Sequence, residues 1–150
     1  MTMTIQGQRW YSVKEASTVC GLPGSTLRYY ESVGVLEPAR RDESSGHRVY
    51  SDSDLDFLLT VSCLNATGMP LDDMRQYLAA IRSGDPKAET QISLLRQQQE
   101  RLRERMRVLQ MQQQYLSLKV SYWQAEESGN EEEAGLIAGQ AAGLSSLLRK

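Results

Sequence analysis

The fold is decided by residues 21–55, which read GLPGSTLRYYESVGVLEPARRDESSGHRVYSDSDL. A turn over residues 21–24, rich in glycine and proline, interrupts any preceding helix. Ser25 or Thr26 can then cap a short second helix, which stops near Gly34. We therefore expect a helix to begin directly after a tight turn.

A first helix precedes this turn. Ser12 can cap it, and Glu15, three residues later, completes a capping box. Its inward face carries Val13, Ala16 and Val19. Two short helices joined by a glycine-containing turn are typical of a helix-turn-helix motif, although the same pattern also fits an ordinary αα-hairpin.

The stretch after the second helix favours the helix-turn-helix interpretation. Pro38 disfavours helix, and a DESSGH turn separates Arg40 and Arg41 from Arg48. Short strands on either side of that turn would form a hairpin wing with cations at its base. Ser51 is then a good N-cap for the next helix.

Two further helices are predicted between residues 51 and 83. The third helix ends at Gly68, and Pro70 lies in the first turn of the fourth, where a missing N–H does no harm. The apolar spacing predicts two buried faces: Leu55, Leu58, Val61 and Leu64 on the third helix, and Leu71, Met74, Leu78 and Ile81 on the fourth.

The next segment has a heptad repeat with neither glycine nor proline between residues 87 and 123. At ~1.5 Å per residue, the predicted helix is roughly 50 Å long. Polar Gln99 and Gln113 interrupt the apolar positions, and Trp123 continues them. This pattern predicts a dimerisation coiled coil rather than a lone helix folded on its own domain. The predicted contact positions, called the seam below, are Ile92, Leu95, Leu102, Met106, Leu109, Leu116 and Val120.

Composition limits the possible functions. The chain has 40% hydrophobic residues and a formal net charge of -2, so any contact with nucleic acid needs a local arrangement of charge. His47 is the one histidine, and no nucleophile–base pair, phosphate loop or metal-ligand spacing accompanies it, which argues against an enzyme. No apolar run is long enough to span a membrane and no signal-peptide core is present, so a soluble cytoplasmic protein is expected.

The chain is therefore expected to be mainly α-helical, in three parts. A winged helix-turn-helix domain is predicted over residues 10–83, and a coiled-coil dimerisation helix over 85–123. A short tail over 124–150 carries an acidic linker and a helix rich in small residues over 136–148. We expect this tail to be too short for an independent ligand-binding domain.

Residues 11–81 resemble the MerR family of bacterial transcriptional regulators. The motifs that carry the resemblance are Thr26-Leu27-Arg28-Tyr29-Tyr30-Glu31, then Gly34 and Leu36, then Gly46-His47-Arg48-Val49-Tyr50, and Gly68 with Leu71. The long helix also follows where this family places one. The resemblance implies a winged helix-turn-helix domain and an antiparallel coiled coil that pairs two copies.

The resemblance also implies which residues contact DNA. Arg28 would bond phosphate, and Tyr29 would touch the backbone or base edges from the recognition helix. The full implied set is Ser25, Thr26, Arg28, Tyr29, Arg41, Arg48 and Tyr50. We expect Tyr30 to be a core residue and Glu31 to pair internally, whereas Arg40 and His47 fit either the wing's DNA contact or its solvated face.

The partners implied by the resemblance are promoter DNA, a second copy of the chain and, indirectly, RNA polymerase. Members of the family bind a pseudo-palindrome between two promoter elements and activate transcription by bending and untwisting that spacer. An architectural protein that bends DNA without regulating promoters is the alternative, although a symmetric dimer favours a palindromic operator.

The sequence defines the inducing signal less well than the DNA-binding part. Residues 82–87 and 122–130, where metal-sensing relatives carry cysteines, contain neither cysteine nor histidine, so we expect no metal and no cofactor. Cys63 resembles the lone cysteine of relatives that respond to aldehydes, electrophiles and nitrosative stress, but a small packed side chain is an equal alternative. Cys20 is expected to be packed. A non-covalent ligand site using Tyr77, Tyr115, Tyr122 and Trp123 is the other possibility, unless these aromatics are core residues.

Overall fold

The computed structural model describes residues 3–5 and 8–150, and side chains from residue 8. The prediction of no signal peptide falls partly on residues 1, 2, 6 and 7, which lie outside the described residues. The elements are, in chain order, β1 (Met3–Ile5), β2 (Gln8–Ser12), α1 (Val13–Cys20), α2 (Gly24–Ser32), β3 (Arg40–Arg41), β4 (Arg48–Tyr50), α3 (Asp52–Ala66), α4 (Leu71–Arg82), α5 (Ala88–Glu127) and α6 (Glu131–Leu148). A mainly helical architecture with a small sheet and a long helix confirms the predicted fold class.

The chain forms two compact units, which we call the head (Met1–Gln98) and the tail unit (Gln99–Lys150). The division falls inside α5, because its first turns pack on the head. Leu94 is buried there, and the side-chain amide of Gln98 donates to the Thr67 carbonyl at 2.8 Å. The division into parts over residues 10–83, 85–123 and 124–150 remains a prediction.

The head has one hydrophobic core, to which all of its first four helices contribute. Its most deeply buried side chains are Leu27, Met74, Leu78, Val35 and Val61. The predicted inward faces of α3 and of Met74 and Leu78 in α4 are buried as expected. Ile81 is a correction, since it is 38% exposed near the C-terminal end of α4.

Four antiparallel strands flank this core in the order β1-β2-β4-β3. The β3–β4 pair is the predicted wing hairpin, with Arg41 opposite Arg48. Strand β2 was not predicted, because its five residues show no clear apolar alternation. It pairs with β4 through Tyr11 and Tyr50, and its last residue is the N-cap of α1.

The helix starts follow local hydrogen bonding. The predicted N-caps of α1 and α3 are confirmed: Ser12 forms a capping box with Glu15, and Ser51 forms one with Asp54. The caps of the other helices differ from expectation. Pro70 is itself the N-cap of α4. Helix α6 begins at residue 131 rather than 136, because Asn130 accepts from the backbone N–H of Glu133 and three glutamates suit the positive helix end.

In the tail unit, α5 and α6 are joined by a tight turn at residues 128–130. Gly129 has a φ of 78°, a left-handed conformation that glycine adopts without strain. Ala125, Ala134 and Ala141 are buried, and the small side chains of α6 allow close approach to α5. A second apolar stripe of α5 turns toward this contact and is half-buried, through Val108, Met111, Tyr115, Leu118 and Tyr122.

Candidate nucleic-acid interface

Helix α2 has one buried and one exposed face. Leu27 and Tyr30 are 1% and 6% exposed, and the Tyr30 hydroxyl donates to the Asn65 side-chain oxygen at 2.8 Å. Tyr30 is therefore a core residue, as expected. On the opposite face Arg28 and Tyr29 lie in solvent, and Tyr29 is 53% exposed. The helix thus presents cationic and phenolic groups from a fixed base.

The N-terminus of α2 corrects the predicted cap. Pro23 is the N-cap, and no side chain caps the helix. The hydroxyls of Ser25 and Thr26, which were expected to be capping candidates, are therefore not used for that purpose. A Cβ added to Gly24 would lie 3.2 Å from Val13 Cγ1, so α1 and α2 pack closely at this point. An uncapped helix N-terminus offers N–H groups and a positive field to an anion.

The turn of the wing is organised by one carboxylate. The Asp42 side chain accepts hydrogen bonds from the backbone N–H and the hydroxyl of both Ser44 and Ser45, at 2.6 to 3.1 Å. The hydrogen bond from the Ser44 hydroxyl is the main reason that the pKa of Asp42 falls to about 2. Gly46 closes the turn at a φ of 74°. The hairpin is thereby held in one conformation.

The arginines of the wing have different environments. Arg41 is exposed and donates to the Gly46 carbonyl at 3.0 Å. The Arg40 guanidinium lies 4.9 Å from the centre of the Trp10 ring. Arg48 instead pairs with Glu31 at 3.1 Å, and both side chains are mostly buried. Glu31 pairs internally, as expected, and Arg48, which was predicted to contact DNA from the wing, is directed toward α2 by this pair.

Tyr50 is a correction. The sequence predicts that its side chain contacts DNA, but it is 5% exposed and belongs to the core cluster. Its hydroxyl is buried without a hydrogen-bond partner among the described residues. Burial, and then the nearby charge of Glu31, raise the pKa of Tyr50. The neighbouring Val49 in β4 is also buried, so the end of this strand lies against the core.

Two further cations lie near this surface: Lys14, which was not predicted, and Arg40, for which the sequence left a DNA contact open. Lys14 is exposed in the first turn of α1, next to Val13, which contacts Gly24 at the start of α2. Arg40 is exposed at the base of the wing. The sequence pattern pointed only to Arg40, because it lies in the predicted wing just after Pro38, which disfavours helix.

The two cysteines differ in solvent exposure. Cys20 is 4% exposed and belongs to the core, as expected. Cys63 is free and exposed on α3. The alternative that Cys63 is a buried packing residue of its own head is therefore wrong, since the side chain reaches solvent.

The seam of α5 is uncovered within the chain. Its exposed fractions are 45% for Ile92, 38% for Leu95, 59% for Met106, 56% for Leu109, 63% for Leu116 and 58% for Val120, while Leu102 is half-buried. A row of large apolar side chains in water is unfavourable by roughly 25 cal/mol per Å². Such a row needs a covering surface.

The four aromatic residues predicted for a ligand site are divided between the two units, with Tyr77 in the head and the other three in the tail unit. Tyr115, Tyr122 and Trp123 line one open cavity of about 420 Å³ in the tail unit. Tyr77 lies in the head, where it packs against the core and its carbonyl accepts from Gln91 at 2.9 Å.

Within residues 3–5 and 8–150, no three His, Cys, Asp or Glu side chains are grouped to hold a metal ion. Over the same part of the chain, no helix is long and apolar enough to cross a membrane.

An exposed recognition helix, a cationic wing and a helix-turn-helix core define a DNA-binding regulator, and comparison with known proteins gives its family. The profile described as "MerR HTH family regulatory protein" matches residues 11–81. An uncharacterised HTH-type transcriptional regulator of Haemophilus influenzae is 31% identical over 114 residues, covering 76% of this chain and 84% of that protein. The chain belongs to the MerR family of transcriptional regulators.

Two further relatives show how far the likeness extends. The HTH-type regulator YyaN of Bacillus subtilis is 38% identical over 68 residues, so this chain spans about half of that protein, 49% of its length. The crystal structure of HiNmlR, described as a MerR family regulator lacking the sensor domain and bound to promoter DNA, superposes with a TM-score of 0.64 at 29% identity. It covers 85% of this chain and 95% of the HiNmlR chain.

Proposed function

We propose that the chain acts as a homodimer that binds a pseudo-palindromic promoter spacer and activates transcription by distorting the DNA. The observation that carries this proposal is the two-sided nature of α2. Core contacts of Leu27 and Tyr30 fix the helix, while Arg28 and Tyr29 remain exposed to solvent. The promoter-bound state of HiNmlR supports the same use of this fold.

The proposed DNA contacts are of two kinds: contacts with phosphates, which position the protein, and contacts with base edges, which read the sequence. Arg28, Arg41 and the N–H groups at the start of α2 are placed to bond phosphates, and Lys14 adds a cation beside them. Ser25, Thr26 and Tyr29 are the candidates for contact with base edges in the major groove. Arg48 contributes indirectly, because its ion pair with Glu31 fixes the wing against α2.

Dimerisation through the seam supplies the second half-site. The apolar seam residues, together with Gln99 and Gln113, have alternating three- and four-residue spacing on one long helix, and most of the apolar ones are exposed, as is typical of a coiled-coil interface. A symmetric pair of heads then matches a pseudo-palindrome, and bending of the spacer is offset by the additional wing and helix contacts. RNA polymerase would be affected indirectly, because distortion of the spacer changes the spacing of the two promoter elements.

DNA binding is tested with the promoter of the chain's own gene in a gel-shift assay. Arg28→Met should weaken binding and reduce the salt slope, log Kd against log salt, by about 1, because one phosphate contact is lost. Arg96→Met, which removes an exposed cation from α5, is the matched control and should change neither. Equal effects of the two variants would contradict the recognition-helix assignment. Footprinting adds a second criterion, since broad and non-palindromic protection would favour an architectural protein.

The signal proposed for this site is an electrophile that reacts with Cys63. The sulfur of the exposed thiol can add to the carbonyl carbon of formaldehyde, while the carbonyl oxygen takes up the thiol proton. The adduct would enlarge a side chain on α3, the helix that follows the wing directly. This couples the chemistry to the position of the DNA-binding surface.

Run-off transcription with and without formaldehyde tests the signal. Wild type, Cys63→Ser and Cys20→Ser are compared at equal protein and DNA concentrations. Induction that Cys63→Ser abolishes and Cys20→Ser retains is the expected result. An equal response of wild type and Cys63→Ser would show that Cys63 is not the sensor, while leaving DNA binding to be judged by the gel shift.

A further inference from the structure

The tail unit contains an open cavity that no DNA contact uses, and we call it the slot. Its α5 wall consists of Tyr115, Lys119, Tyr122 and Trp123. Its α6 wall consists of three alanines, among them Ala142, and Ser145. The volume of about 420 Å³ lies within the usual range for sites that bind small molecules, roughly 300 to 1,000 Å³.

The two walls have opposite shapes. Three aromatic rings form one side, and the Tyr122 and Trp123 rings meet edge to face with their centres 5.2 Å apart. Side chains no larger than a methyl or hydroxymethyl group form the other side. Large rings facing small residues leave room for a flat group, which can stack on an aromatic wall. Tyr115 and Tyr122, which lie off the seam, are half-buried, so part of each ring can face such a group.

The charge of the slot has one sign. Lys119 is the one charged residue in its lining, with the ammonium 5.5 Å from the centre of the Tyr115 ring. It makes no ion pair with a carboxylate in the part of the chain that the structure describes. An unneutralised cation at the edge of an aromatic wall favours an anion on the bound group. Ser145 and the tyrosine hydroxyls can add neutral hydrogen bonds.

We infer that the slot between α5 and α6 binds a small planar aromatic carboxylate. The flat ring stacks on the α5 aromatics, and the carboxylate pairs with Lys119. Because Trp123 continues the seam of α5, occupancy would link the α5–α6 hairpin to the end of the dimer contact. The regulatory use of this site rests on the proposed function, whereas binding itself does not.

Isothermal titration of the full-length protein with indole-3-carboxylate tests the site. Indole-3-carboxamide, which has nearly the same shape without the charge, is the matched compound. We expect a Kd below ~1 mM for the carboxylate and at least ~10-fold weaker binding of the carboxamide. Lys119→Gln should reduce this preference to below ~3-fold, because only the charge is removed.

Two variants of α6 test the location. Ala142→Leu fills the slot and should abolish binding, while Gln140→Leu places a leucine on the same helix outside the lining and should leave Kd unchanged. Far-UV circular dichroism checks that both retain their helices. Equal binding of carboxylate and carboxamide, no binding of either up to ~1 mM, or normal binding to Ala142→Leu would overturn the inference.

Sedimentation and the gel shift separate the remaining cases. If Ala142→Leu dissociates the dimer, a second copy occupies the slot and the ligand assignment is wrong. If the protein binds its operator but not the carboxylate, the slot proposal fails alone. If it binds the carboxylate but not DNA, the proposed function fails while the site stands.

Discussion

Replacing Glu31 by Gln should destabilise the head, because this carboxylate joins α2 to the wing. It accepts from the Ala39 backbone N–H at 3.1 Å and from the Arg48 guanidinium at 3.1 to 3.3 Å. Gln keeps the shape and one acceptor but removes the charge. The Glu31 and Arg48 side chains are 11% and 22% exposed, so solvent screens the pair only weakly.

The magnitude follows from the geometry. Two charges about 4 Å apart attract by about 4 kcal/mol at an effective dielectric constant of 20. The carboxylate loses hydration on folding and the amide retains part of the hydrogen bonding, so we expect a net loss of about 2 kcal/mol. In urea, with a slope of about 2 kcal/mol/M, the midpoint should fall by about 1 M.

Glu37→Gln is the matched control. Glu37 also faces an arginine, but the distance to Arg82 is 3.7 Å and its side chain is 77% exposed. Such a pair contributes less than about 0.5 kcal/mol. Urea unfolding of wild type and both variants at one protein concentration gives the comparison. If both variants lose equal stability, the Glu31–Arg48 pair does not hold the wing and the reasoning is refuted.

Three more results are expected. Asp42 has a folded pKa of about 2 against an ordinary value of 3.8, so its turn is stabilised above pH ~4 and this stabilisation is lost as the pH falls toward 2; an NMR titration midpoint near 3.8 for its carboxyl carbon would contradict this. Met106→Glu should yield monomers in sedimentation experiments without unfolding the head, whereas Gln110→Glu, off the seam, should not. Tyr50→Phe should leave operator affinity unchanged and alter the unfolding free energy by no more than about 1 kcal/mol, because the lost hydroxyl has no partner; a weaker gel shift would instead place Tyr50 at the DNA.

Local rules predicted the parts of the fold that rest on short-range chemistry. The Ser12 and Ser51 capping boxes, the wing turn and the inward face of α3 each depend on residues within a few positions of one another. Strand β2 could not be predicted, because it is stabilised by pairing with β4, 39 residues further along the chain in the Tyr11–Tyr50 pair. The start of α2 was misplaced because close packing of Gly24 on Val13, not a hydroxyl cap, decides it.

The site was predicted less completely, for a physical reason. Sequence patterns place a residue on an element but do not say which neighbours surround it. Arg48 and Tyr50 both lie on the wing as expected, yet one pairs with Glu31 and the other enters the core. The exposure of Cys63 likewise depends on which face of α3 the rest of the head covers.

The recognition helix is fixed mainly by groups that do not belong to its exposed face. From α4, Arg75 donates to the Val33 carbonyl at 2.9 Å and Arg82 donates to the Val35 carbonyl at 2.7 Å, just after α2 ends. These cations suit the negative end of the α2 dipole. Because α4 directly precedes α5, these two arginines connect the end of α2 to the helix that leads into α5. The exposed side chains Arg28 and Tyr29 take no part in these two hydrogen bonds, so replacing them should leave both bonds intact.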